Sequence, residues 1–118
     1  MPNRIQLRRT KGWRLPDNTV NVARPTKWGN PFKVGEPIPR DSELWPYLDF
    51  LYGESLRGFK AVTLLQAADA VNCYERWLAD RPWLFLAVFD ELPGKDLACW
   101  CPLDAACHAD ALLDLANS

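Results

Sequence analysis

Histidine, net charge and unbroken apolar sequence are all scarce in this 118-residue chain, which has one histidine and a formal net charge of -1. No apolar stretch approaches the ~20 residues that span a bilayer as a helix. The longest run, Trp83-Leu84-Phe85-Leu86-Ala87-Val88-Phe89, is far too short. The first residues lack the apolar core of an export signal, which leads to the expectation of a cytoplasmic protein with no membrane partner. No internal repeat, low-complexity tract or linker interrupts the chain, so one domain over residues 1–118 is expected. A Gly-x-x-x-x-Gly-Lys-Ser loop is also missing, which excludes the best-known phosphate cradle.

What is present is globular: 48% hydrophobic and 25% charged residues argue against disorder. The small net charge hides a split. Residues 1–40 carry nine basic and two acidic side chains, and residues 41–118 carry five and thirteen. Such asymmetry points to a polyanionic partner for the basic part, or to two parts that pack together. Ile5-Gln6-Leu7-Arg8-Arg9 and Val20-Asn21-Val22-Ala23 alternate like half-buried strands around a turn-rich stretch, and a hairpin-like pair is expected. Residues 24–40 hold six Gly and Pro residues and read as a long ordered loop.

Helices follow. Ser42 to Tyr52 has helical spacing, with Pro46 tolerated in the first turn and a stop near Gly53. Thr63-Leu64-Leu65-Gln66 has the form of a capping box, and Ala67, Val71, Tyr74 and Leu78 repeat at helical spacing beyond it. Another helix begins at Asp80-Arg81-Pro82 and ends at Pro93-Gly94. Asp96 to Cys101 reads as a buried strand, and Asp104 as the N-cap of a last helix reaching about Ala116. These elements predict an α/β domain: a small mixed β-sheet flanked by helices, with a Rossmann-like C-terminal strand–loop–helix. Cys99 and Cys101 then fall at the carboxyl edge of a strand, where α/β proteins bind ligands.

Two segments have the residue types for chemistry. In Arg24-Pro25-Thr26-Lys27-Trp28-Gly29-Asn30-Pro31-Phe32, Arg24 can grip a phosphate through two parallel hydrogen bonds and Lys27 adds a point charge. Gly29 can expose backbone N–H groups as an anion nest, beside the amide of Asn30, and Trp28 or Phe32 can stack on a base. The plainer reading makes both aromatic residues core plugs, Asn30-Pro31 a turn and the cations solvated surface.

The second segment runs from Cys99 to His108. Strand geometry puts Cys99 and Cys101 on one face. Three readings stand: a zinc site of Cys99, Cys101, Cys107 and His108, whose Cys-x-Cys spacing is tighter than usual; a nucleophilic Cys107 beside His108; and small buried packing residues. Cys107 and His108 also have a reading of their own as binding groups at the N-terminus of the last helix, where unsatisfied N–H groups attract anions. Cys73, mid-helix, reads as packing.

Residues 22–32, 94–103 and 107–110 together resemble a family of small bacterial and phage proteins, domain-of-unknown-function family 4326. The resemblance implies that Arg24, Lys27, Trp28, Gly29, Asn30, Cys99, Cys101, Cys107 and His108 are its distinctive positions, in a bacterial or phage setting. It implies no activity. The expected function is binding of a phosphorylated nucleoside or similar anionic ligand through Arg24, Lys27, Trp28, Gly29, Asn30, Cys107 and His108. No acid–base pair identifies a reaction; a nucleotide's glycosidic or phosphate linkage is the class to test. The alternative is a nucleic-acid- or protein-binding accessory factor with a structural zinc.

Overall fold

The computed structural model describes residues 2–118. In chain order the elements are β1 (Arg4–Gln6), β2 (Thr19–Asn21), β3 (Pro37–Pro39), α1 (Trp45–Tyr52), a 3₁₀ turn (Gly53–Leu56), β4 (Ala61–Thr63), α2 (Ala67–Ala79), α3 (Pro82–Glu91), β5 (Asp96–Cys99) and α4 (His108–Ala116). The class is α/β, as expected, but the strands divide between two small sheets. One is parallel, with β5 between β1 and β2; the other is the antiparallel pair β3–β4.

The hairpin expected near the N-terminus does not form. β1 and β2 each pair with β5, placing Ile5 opposite Ala98 and Val20 opposite Leu97. The reason lies in the strands' polarity. Leu97, Ala98 and Cys99 are all buried, so β5 is apolar on both faces and suits the centre of a parallel sheet. The half-buried β1 and β2 suit its edges. Backbone bonds from Leu7 to Cys99 and from Val22 to Ala98, both 2.9 Å, extend the grip beyond the regular strands.

Two apolar clusters share α2 as a common wall. Tyr74 and Leu78 face the sheet, with Val22, Trp28, Val88, Leu97 and Leu112. Ala70 and Cys73 face a second cluster of Phe32, Ile38, Trp45, Leu48, Leu56 and Leu64. Full burial of each such large side chain is worth roughly 1.5–3 kcal/mol, which is why α2 holds the two parts together.

Helix boundaries follow the prolines and depart from two expected caps. Pro46 and Pro82 sit in the first turns of α1 and α3, where a missing N–H is harmless. Thr63 is not a cap, because it lies in β4 opposite Pro37, and α2 starts only after Gln66, whose side chain makes no capping bond. Asp104 is not a cap either: α4 starts at His108 after Cys107. The carbonyls of Pro102, Leu103 and Ala105 point at the Arg4 guanidinium, which holds residues 102–105 as a turn. Among the described residues, no helix is long and apolar enough to cross a membrane.

Candidate functional site

Because β1, β5 and β2 run in one direction, their carboxyl ends share an edge. Chain leaving them supplies Arg9, Cys101 and Arg24 to a cleft of about 470 Å³. That volume and position suit a small ligand, since open parallel sheets bind outside the carboxyl ends of their strands. Phe32 and Val34 form one wall with Ala70 of α2, and Cys107 and His108 enter from the start of α4. The basic loop and the cysteine segment therefore converge.

All four cysteines are free thiols. Cys99 ends β5, and the two-residue repeat of extended chain brings Cys101 to the same face, with sulfurs 3.7 Å apart. Trp100, between them, is 43% exposed, with the Arg9 guanidinium 4.7 Å over its ring. Cys107, at the N-cap of α4, completes the group: the sulfurs of Cys99, Cys101 and Cys107 all lie within 4.8 Å of one another and can hold a metal ion. Hydrogen bonding from Cys101 holds Cys99 and Cys107 below the ordinary thiol range, and the same two neighbours push Cys101 above it.

His108 is not part of this three-sulfur group. Its Nε2 lies 2.7 Å from the Val22 carbonyl, an acceptor only, so that nitrogen carries the proton and donates. Its ring packs edge-on to Tyr74 at 5.0 Å, and its Nδ1 is 3.7 Å from the Cys107 sulfur. The buried histidine thus ties α4 to the end of β2.

The loop from residue 24 to residue 30 divides between cleft and core. Arg24 lines the cleft and donates from Nη1 to the Asn30 carbonyl. Asn30 also lines it, with its side chain committed: Oδ1 accepts from the Phe32 N–H at 2.9 Å and Nδ2 donates to the Ala70 carbonyl at 3.3 Å. Trp28, 3% exposed, is a core residue whose carbonyl accepts from the Tyr74 hydroxyl at 2.7 Å, so it has no face to offer a base. Lys27 turns to α3 and pairs with Glu91 at 2.7 Å. Gly29 forms no anion nest, since its N–H donates to the Thr26 carbonyl at 3.0 Å. Glycine is needed there because a Cβ would lie 2.8 Å from Cγ and 2.9 Å from Cα of Arg24.

Of the expected ligand-binding residues, Arg24, Asn30, Cys107 and His108 reach the cleft, and Lys27, Trp28 and Gly29 do not. Three others matter that sequence patterns did not single out. Arg9 and Trp100 line the cleft as a stacked pair. Arg4 lies behind it, its side chain 8% exposed, with Nε 3.5 Å from Asp110. Burial opposes its charge, but the adjoining Cys107 thiol and Asp110 carboxylate outweigh that effect and raise its pKa. Arg4 has no local signal, since its partners lie about a hundred residues along the chain.

These features define a small α/β domain with a thiol-lined cleft at the carboxyl edge of a parallel sheet. The chain belongs to the family described as Domain of unknown function (DUF4326), whose model matches residues 5–118, as the two motifs suggested. No curated protein and no solved structure matches it.

Proposed function

We propose that the protein binds a small phosphorylated ligand of the nucleoside class in this cleft, beside a zinc ion held by Cys99, Cys101 and Cys107. The observation that carries the reading is the convergence, in one cleft, of two arginines from different strand ends with the three-sulfur group. Arg24 and Arg9 supply planar, permanently charged donors suited to phosphate oxygens. The exposed Trp100 ring takes the stacking role first expected of Trp28. Zinc fits the sulfurs on distance: two thiolates on one tetrahedral zinc, each at ~2.3 Å, stand about 3.8 Å apart. Cys99 and Cys101 stand 3.7 Å apart.

Isothermal titration with AMP, ADP, ribose 5-phosphate, inorganic phosphate and a short oligonucleotide tests the ligand. Mononucleotide binding is expected, weakened about 10- to 100-fold in Arg24→Ala, the range for a lost charge-assisted hydrogen bond. No heat from any of the small ligands, with Arg24→Ala indistinguishable from wild type, would overturn the reading. Binding of the oligonucleotide alone, with steep salt dependence, would favour the nucleic-acid accessory role instead. Elemental analysis of protein purified without chelator should give one zinc per chain, lost in Cys101→Ser.

A further inference from the structure

We infer that the metal centre is completed from the cleft: its fourth coordination position is exchangeable and accepts an anionic oxygen of the bound ligand, while Arg4 balances its charge. This rests on the reading above and adds direct coordination to it. Structural zinc sites are closed by four protein ligands, whereas sites with three protein ligands keep a place for water or substrate. Among the described residues, no fourth histidine, cysteine or carboxylate joins the three sulfurs. The nearest candidate, His108, is anchored by Nε2 to the Val22 carbonyl and touches only the Cys107 sulfur through Nδ1.

The surroundings support three thiolates and an outside ligand. A divalent ion with three thiolates carries one surplus negative charge, which a buried site must neutralise. Arg4 is placed to do so. Its Nη2 donates to the Leu103 and Ala105 carbonyls at 2.6 and 2.9 Å, locking the turn between Cys101 and Cys107. Its Nη1 is buried with no hydrogen-bond partner among the described residues, and the guanidinium adjoins Cys107 and Cys101. A buried N–H left unpaired is costly unless it faces negative charge, and thiolate sulfur supplies that charge. On the other side all three cysteines line the cleft together with Arg9 and Arg24, which would direct a phosphate toward the metal.

Cobalt substitution of the full chain tests this. Thiolate-to-cobalt charge-transfer absorption reports the number of sulfur ligands, and the visible ligand-field bands report the fourth. A three-thiolate spectrum is expected, with ligand-field bands that shift saturably on adding inorganic phosphate or AMP. Arg4→Gln should weaken cobalt binding about 10- to 100-fold, as loss of outer-shell partners does. Arg4→Lys should recover part of that loss with an unchanged three-thiolate spectrum, which a purely structural role would not predict. The wild-type spectral titration decides the matter even if either variant misfolds. Ligand-field bands that stay fixed while calorimetry detects AMP would overturn direct coordination and leave the cleft reading standing. Failure of cobalt and zinc to bind at all would overturn both the inference and the zinc assignment beneath it.

Discussion

Replacing Gly29 with alanine tests the geometry that presents Arg24 to the cleft. The added Cβ would lie 2.8 Å from Arg24 Cγ, 2.9 Å from its Cα and 3.0 Å from its N. Carbon atoms in good contact sit ~3.5–4.0 Å apart, so the overlap exceeds half an ångström. Rotation of the Arg24 side chain can relieve only the first contact, because the other two are backbone. Overpacking of this kind costs about 1–3 kcal/mol. Against it stands a gain of ~0.4–1 kcal/mol from the stiffer unfolded chain. The net expectation is a loss of about 1–2 kcal/mol, a fall in Tm of roughly 3–10 °C for a domain of this size. Urea denaturation followed by tryptophan fluorescence measures it, with the midpoint lowered and the slope unchanged. Gly12→Asn is the contrast: nothing lies within 4 Å of its Cβ position, and asparagine tolerates the left-handed φ of +83°. A Gly29→Ala unfolding free energy within ~0.5 kcal/mol of wild type would refute the claim that loop and Arg24 backbone are in forced contact.

Three further outcomes follow from described contacts. Tyr74→Phe leaves the buried Trp28 carbonyl without its 2.7 Å partner and should cost about 1–3 kcal/mol by chemical denaturation, with far-ultraviolet dichroism unchanged. Lys27→Ala removes an ion pair whose side chains are 41% and 47% exposed; stability should change by less than ~1 kcal/mol and AMP titration should not change, since Lys27 is outside the cleft. Burial pushes the phenols of Tyr47, Tyr52 and Tyr74 up, Tyr52 to about 12 with help from Asp69. Folded values above unfolded ones mean that this stability is fully present below the ordinary phenol range, ~10, and is lost as pH rises through the folded values. Phenolate absorbance should therefore appear only above that range, together with unfolding; an independent titration near 10 in folded protein would contradict it.

Much of the site was legible because it obeys local rules. Cys99 and Cys101 share a face by the strand repeat, and the position of β5 before a helix put them at the carboxyl edge of the sheet. Proline placement set the starts of α1 and α3 for the same local reason. What local pattern could not supply was partner choice. Strands of three residues pair with segments chosen by burial rather than by nearness, so β1 and β2 joined the doubly buried β5 and not each other. Thr63 was drawn into a strand ladder although its sequence matches a cap. Trp28, expected to offer its ring to a base, went into the core instead, and it is Trp100, in the turn after β5, that stays exposed. Arg4 was illegible for the strongest form of this reason: all the groups that give it a role lie after residue 100.

The two apolar clusters also differ in how much chain each must wait for during synthesis. One draws only on residues from Phe32 to Trp77, an unbroken segment. The other joins Leu7 to Ala116, and its sheet has no central strand until residues 96–99 exist. Because closing long loops precedes any reward from the contacts they make, the first cluster should condense ahead of the second. Pulse-labelled hydrogen exchange would detect this as protection of α2 amides before those of β5. The cleft lies on the seam, with Phe32 and Ala70 on the early side and Cys99 and Cys107 on the late one. A chain that presents Arg24 to the three sulfurs has therefore already closed its sheet.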